Sequence, residues 1–203
     1  DGELVFCSFN DQHFDSQALN PYTPAAFSWP STMPQWAQDE LMSELQRLMS
    51  LLKVKTGVYN IETRLCKNGK PYIMELAPRG GGNRLSEMMK YISGQDLIDN
   101  CVRAAVGDSI DEIHQPEYDG YWAEIILHSE RDGVFQSIEI DKTVEERFLI
   151  EKDIWVKAGD KVQGFTGANT TIGTLILKFN SRKEMKSFID CLEWKYKINT
   201  CQR

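Results

Sequence analysis

Two glutamates stand inside two short alternating runs, Asn60-Ile61-Glu62-Thr63-Arg64-Leu65 and Pro71-Tyr72-Ile73-Met74-Glu75-Leu76-Ala77, joined through Cys66-Lys67-Asn68-Gly69-Lys70. Asn-Gly between strand-like runs predicts a type I′ hairpin turn, because both central residues of that turn need positive φ. A two-residue loop fixes the register: Lys67 opposite Lys70, Cys66 opposite Pro71, Leu65 opposite Tyr72, and Glu62 opposite Glu75. Pro71 then falls in a non-hydrogen-bonded pair, where its missing N–H breaks no ladder bond. One face collects Tyr59, Ile61, Leu65, Tyr72, Met74 and Leu76 with Thr63 as its one polar member, a plausible core face; the other carries Asn60, Glu62, Arg64, Ile73, Glu75 and Ala77. Directly opposed carboxylates have Cβ atoms roughly 4.5–5.5 Å apart and repel unless a cation or a proton lies between them. Mg²⁺ suits that position, since it takes one or two carboxylates, keeps waters and accepts phosphate oxygens. Neutralisation of the pair by Arg64 on a solvated sheet face is the other reading, and the sequence leaves it open.

The second strand runs on into Pro78-Arg79-Gly80-Gly81-Gly82-Asn83 and then into a helical pattern. Glycines let backbone approach an anion closely, and a helix start offers N–H donors and a favourable dipole. The planar donor fork of Arg79 suits phosphate charge. Two acids, an arginine and a glycine loop within one stretch point to phosphate chemistry more strongly than any of them alone.

These residues need elements to hold them. Residues 3–14 read as a strand, and the stretch containing Pro21, Pro24, Pro30 and Pro34 as a loop. Thr32 and Gln35 resemble a capping box opening a helix, whose buried face is Leu41, Leu45, Leu48 and Leu52, with Met42 and Met49 as core filler. Residues 84–92 and 95–106 read as helices ended by Gly94 and Gly107, and 116–120 as a linker. Strands follow at 121–128, 134–140, around 148–156 and at 173–179. A last helix capped by Ser181 reaches about Tyr196 with Met185, Phe188, Ile189 and Leu192 on one face.

Composition narrows the classes. The net charge is −7 with a pI near 5.1, which argues against nucleic acid or an anionic membrane as partner. No apolar run approaches the roughly 18–20 residues of a membrane span, and the opening on Asp1 shows no leader pattern and suggests a fragment. Five cysteines without a CxxC pair fit reduced thiols in a cytoplasm. His13, His114 and His128 are dispersed and read as packing or surface residues rather than metal ligands. A metal-dependent hydrolase would need further His or Asp ligands near Glu62 and Glu75, and none are there. Trp29, Trp36, Trp122 and Trp155 read as core before pocket lining.

At this point the chain resembles the ATP-grasp superfamily, and looks most like the carbamoyl-phosphate synthase large-chain type and bacterial L-amino-acid ligases. The resemblance rests on Gly57-Val58-Tyr59-Asn60-Ile61-Glu62, on the run from Ile73 through Glu75 and Arg79 to Asn83, and on Ile92-Ser93-Gly94-Gln95-Asp96-Leu97. It implies an α+β fold: residues 1–115 as the C-terminal part of an ATP-grasp core, mostly antiparallel sheet with flanking helices, and 116–203 as a small strand-rich subdomain. It implies ATP and Mg²⁺ as cofactors, Glu62 and Glu75 as metal ligands, and Arg79 as the catalytic, phosphate-contacting arginine. Gly80, Gly81, Gly82 and Asn83 would line the phosphates. The implied reaction joins a small-molecule carboxylate to an amine or thiol through an acyl phosphate. Many members carry an asparagine two residues after the second glutamate as a further metal ligand; Ala77 stands there, as in the amino-acid ligases, and the resemblance leaves open whether one or two Mg²⁺ bind, with Asn60 or Asn83 as substitutes. The phosphate-binding lysines, lid and adenine-reading hinge of such enzymes lie upstream, so the chain alone is expected to bind ATP weakly and to need an N-terminal half. A non-catalytic docking module is the alternative, and pairing into a homodimer stays open.

Overall fold

The computed structural model describes residues 2–192 and 195–201. In chain order the elements are β1 (Asp11–Phe14), β2 (Pro24–Trp29), α1 (Gln35–Leu52), β3 (Asn60–Leu65), β4 (Pro71–Ala77), α2 (Leu85–Ser93) and α3 (Leu97–Val106). There follow β5 (Tyr121–His128), β6 (Gly133–Ile140), α4 (Lys142–Arg147), β7 (Leu149–Ile154), β8 (Lys161–Val162), β9 (Thr171–Phe179), α5 (Arg182–Ile189) and β10 (Tyr196–Cys201). The chain forms two units, one of Asp1–Phe9 with Ser31–Asp119 and one of Asn10–Pro30 with Gly120–Arg203. The fold is α+β, and every pairing within its sheets is antiparallel among the described residues.

In the first unit the N-cap of α1 is Pro34, which makes no side-chain cap bond, rather than Thr32, where the sequence pattern places it. Proline is pre-organised for this end of a helix and has no N–H to leave unpaired. The buried line of α1 is Ala37, Leu41, Leu45 and Met49, while Leu52 is exposed. A strict four-residue step therefore wins over the 4, 3, 4 spacing of the leucines. Lys53 closes the helix in the left-handed region at φ 50°. Gly94 (φ 76°) and Gly107 (φ 84°) end α2 and α3 at the positions the sequence assigns them, because a left-handed cap carries no steric penalty without a Cβ.

The run 3–10 joins no sheet, contrary to the strand read there; only Asp11–Phe14 is extended into a ladder. Some of its backbone groups bond to glutamine side chains instead, and Phe9 O accepts from Ser31 N. Gln46 accepts from Leu4 N at 2.8 Å and donates to Gly2 O, and Gln115 accepts from Cys7 N and donates to Cys7 O at 2.7 Å. Gln95 grips His114 in the same two-bonded way. A primary amide presents one donor and one acceptor side by side, as a neighbouring strand would. Burial beside this run pushes the Cys7 thiol up to about 11.

The second unit is built on a five-stranded sheet in the order β1-β2-β5-β9-β7, with a three-stranded sheet β10-β6-β8. Its core gathers Ala26, Ile125, Leu127, Leu175, Leu177, Phe179, Met185 and Phe188. The proline-rich stretch read as a loop contains β2, buried from Ala25 to Trp29. Pro24 is its first residue and Pro30 lies just beyond it, the places where a strand tolerates proline. Asp141 caps α4, a helix the sequence reading lacks, and Ser181 caps α5 as expected. That last helix ends at Ile189, and Tyr196 opens β10 rather than closing a helix; positions 193 and 194 of the expected helix lie outside the described residues. His128, buried, donates from Nδ1 to Ile126 O at 2.7 Å and presents Nε2 to Asp15 Oδ2 at 3.1 Å, with its ring stacked on Phe165. No described helix is long and apolar enough to cross a membrane.

Candidate functional site

The hairpin forms, but its turn is not the expected one. Gly69 N donates to Cys66 O and Cys66 N donates to Lys70 O, each at 2.9 Å, so three residues make the loop. Only Gly69 takes positive φ, at 76°, while the Asn68 side chain accepts from Lys70 N. This is a tighter turn followed by a glycine bulge, the three-residue hairpin connection. It shifts the register by one: Leu65 opposes Pro71, Arg64 opposes Tyr72 and Thr63 opposes Ile73. A β-bulge then leaves Met74 without a partner and restores Glu62 opposite Glu75, Ile61 opposite Leu76 and Asn60 opposite Ala77. Two departures cancel. The glutamates face each other as the sequence reading has them.

On β4, between the turn and the bulge, the faces are exchanged relative to expectation, while β3 keeps its expected core face. Ile61, Thr63, Leu65, Pro71, Ile73 and Leu76 are half-buried, whereas Tyr72 and Met74 are exposed and lie outside the core. Alternation therefore places Asn60, Glu62, Arg64, Tyr72, Glu75 and Ala77 on the other face. Both glutamates are exposed. Among the described residues neither takes part in an ion pair, Arg64 pairs with neither, and no cluster of three His, Cys, Asp or Glu side chains is assembled. The neutralising role left open for Arg64 is thus not taken up. Two like charges remain opposed without a counter-charge, an arrangement that weakens an antiparallel pair. Two carboxylates with room beside them fit Mg²⁺, whose remaining positions go to water and phosphate oxygens.

The glycine loop comes back toward β3. Arg79 N donates to Ala77 O at 2.8 Å, and the exposed Arg79 side chain folds so that Nη1 donates to Gly80 O at 2.8 Å. The three glycines are not equivalent. A Cβ on Gly80 would run into Ser86 Oγ, and one on Gly81 would lie 2.6 Å from Leu85 and 3.1 Å from Asn60 Oδ1; around Gly82 there is open space. Asn83 sits in the left-handed region at φ 52°, a conformation asparagine tolerates better than most residues. The N-cap of α2, Arg84, makes no side-chain cap but pairs with Glu87 through Nε at 2.7 Å and through its second nitrogen. Sequence reasoning passed over this pair, although Arg and Glu three apart at a helix start are its ordinary signature. Of the tryptophans, Trp29 and Trp122 are buried and Trp36 and Trp155 are about half exposed.

No family model matches the chain. A segment of 86 residues, 42% of the chain, is 31% identical to carnosine synthase 1 from Gallus gallus, of which it spans 9%. Three solved structures share the fold. Phosphoribosylglycinamide synthetase from Anaerococcus prevotii superposes with a TM-score of 0.76 at 16% identity, covering 98% of this chain and 51% of that one. L-amino acid ligase from Bacillus licheniformis gives 0.73 at 19% identity, covering 91% and 46%. The biotin carboxylase domain of Hydrogenobacter thermophilus 2-oxoglutarate carboxylase, solved as a dimer with MgADP and bicarbonate, gives 0.63 at 16% identity, covering 91% and 41%. The fold is the ATP-grasp fold of these solved structures, and the chain spans about half of each of them, from 41% to 51%.

Proposed function

We propose, with the ATP-grasp fold as premise, that this chain supplies the metal and phosphate half of an ATP-dependent carboxylate–amine (or carboxylate–thiol) ligase. The observation that carries the reading is Glu62 facing Glu75 on an exposed face with no counter-cation. ATP bound with Mg²⁺ would supply a γ-phosphoryl group to activate a substrate carboxylate as an acyl phosphate; an amine or thiol would then attack the acyl carbon, and inorganic phosphate would leave. Glu62 and Glu75 would hold the cation. Arg79 would place a delocalised positive charge beside the transferring phosphoryl group, where charge spread over the equatorial oxygens needs neutralising. Gly80 and Gly81 let the loop backbone lie close to the hairpin, so that amides rather than side chains line the phosphates, and Asn83 completes the loop. Exclusion of water and the grip on adenine belong to the other half, which fits the share of the solved proteins this chain covers. The MgADP in the Hydrogenobacter structure supports this choice of cofactor. Five free thiols suit a reducing compartment such as the cytoplasm.

Titration of the chain with MgATP, alone and together with an N-terminal ATP-grasp half, tests the reading. Weak binding alone, and Mg²⁺-dependent turnover that appears only with both halves and disappears in Glu75→Gln, is the expected result. Turnover unchanged by Glu75→Gln contradicts it. Tight association of the two halves with no turnover would favour a docking module.

A further inference from the structure

We propose that Asn60 is a positioning residue that sets the distance between the glycine loop and the acidic pair. The proposal rests on the function assigned above. Asn60 shares the hairpin face of Glu62 and Glu75 and lies directly opposite Ala77, the last residue of β4 before the loop departs. Its Oδ1 is 3.1 Å from the place a Cβ on Gly81 would occupy. Leu85, in the first turn of α2, is 2.6 Å from that same place through both Cβ and Cδ1. A polar side chain of β3 and an apolar side chain of α2 therefore both lie against the side of Gly81 from which a Cβ would project, and that side has room for hydrogen only. No described residue hydrogen-bonds the Asn60 amide, and the group is half-buried, so its role is not explained by a tie to the rest of the fold.

The consequence is a gauge. Asn60 bears on the face of Gly81 that turns toward it and so limits how closely the loop amides approach the cation that the glutamates would hold. A phosphate bridging cation and loop needs that spacing, because misplacement by an ångström is expensive in phosphoryl transfer. Removing Asn60 leaves the cation its two carboxylates but lets the loop drift.

Two affinities separate the claim from its rivals: Mn²⁺ alone by its electron paramagnetic resonance signal, and ADP in the presence of saturating Mn²⁺, both on the full 203-residue chain. Asn60→Ala is expected to weaken ADP binding about tenfold, the scale of lost outer-shell support, and to leave Mn²⁺ affinity within about twofold. Gly81→Ala should reproduce that phenotype, and Gly81→Ala with Leu85→Gly, which removes both the Cβ and the Cδ1 that the new methyl would meet, should move ADP affinity back toward the parent value. Equal losses of Mn²⁺ and ADP affinity in Asn60→Ala would make Asn60 a ligand of the cation and overturn the proposal, as would no change in either. Should Asn60→Ala not fold, judged by its denaturation midpoint, Asn60→Ser carries the same expectations. If the parent chain binds no Mn²⁺, or Glu75→Gln binds it as well as the parent does, the underlying assignment of function fails instead.

Discussion

Two carboxylate arrangements in this molecule are treated in opposite ways. In the second unit Asp15 meets His128, whose Nδ1 is committed to a backbone carbonyl and whose Nε2 lies 3.1 Å from the acid. That pair closes on itself, and the loop after β1 is further held by bonds from Asn20 to Phe165 O and Thr166 O. In the first unit Glu62 and Glu75 oppose each other on an exposed face with nothing to balance them. A pair completed from within serves the fold. On the function proposed above, the pair left incomplete offers its two carboxylates to a cation from outside the chain.

Breaking the functional side should show first and most strongly in turnover. Arg79→Ala in the intact enzyme is expected to lower kcat by about 100-fold or more, the scale of losing one charge-stabilising donor, with far less effect on KM for the carboxylate substrate. Steady-state kinetics check it. Breaking the structural side should show in stability: Asp15→Ala is expected to cost about 2 kcal/mol, the range for a hydrogen bond to a charged group, as read by urea denaturation. The same experiment on Glu62→Gln should move the other way, by roughly 0.2–1 kcal/mol, because removing one of two opposed like charges relieves the pair. Loss of stability in Glu62→Gln would erase the contrast.

The smallest effect concerns pH. Burial holds His13, hydrogen-bonded to Ser28 Oγ, below its ordinary value of 6.5, with nearby Asp11 and Asp190 opposing and Lys186 adding to that shift. A lowered folded value means the folded state binds fewer protons than the unfolded one. The contribution of His13 is therefore present above pH 6.5 and is lost as pH falls through its folded value. Melting temperature followed from pH 7.5 to 5 should decline less steeply in His13→Gln than in the parent.

The hairpin was legible because alternation and Asn68-Gly69 are local signals. Its true register was not, since the three-residue loop and the bulge at Met74 arise from packing that moves Ile73 inward and Tyr72 outward. The facing of the glutamates survived only because the two shifts have opposite sign. Glycine caps at 94 and 107 were readable for the same local reason. The run 3–10 was misread because its ladder partners are glutamine side chains some 40 or more than 100 positions away, visible to no local pattern. Strand β2 was hidden by prolines that in fact mark its ends, and β10, which pairs with β6, lies past the expected last helix and overlaps it only at Tyr196. At the site, the acids, Arg79 and the glycines were read from residue type. The closeness of Asn60 and Leu85 to the Cβ side of Gly81 needed coordinates.

The most direct measurement is paramagnetic broadening of backbone amide signals by substoichiometric Mn²⁺. The account predicts that amides flanking Glu62 and Glu75 broaden first, together with those of the loop 79–83, and that Glu75→Gln abolishes the effect. Broadening centred on other carboxylates, or none near the hairpin at millimolar Mn²⁺, would contradict it.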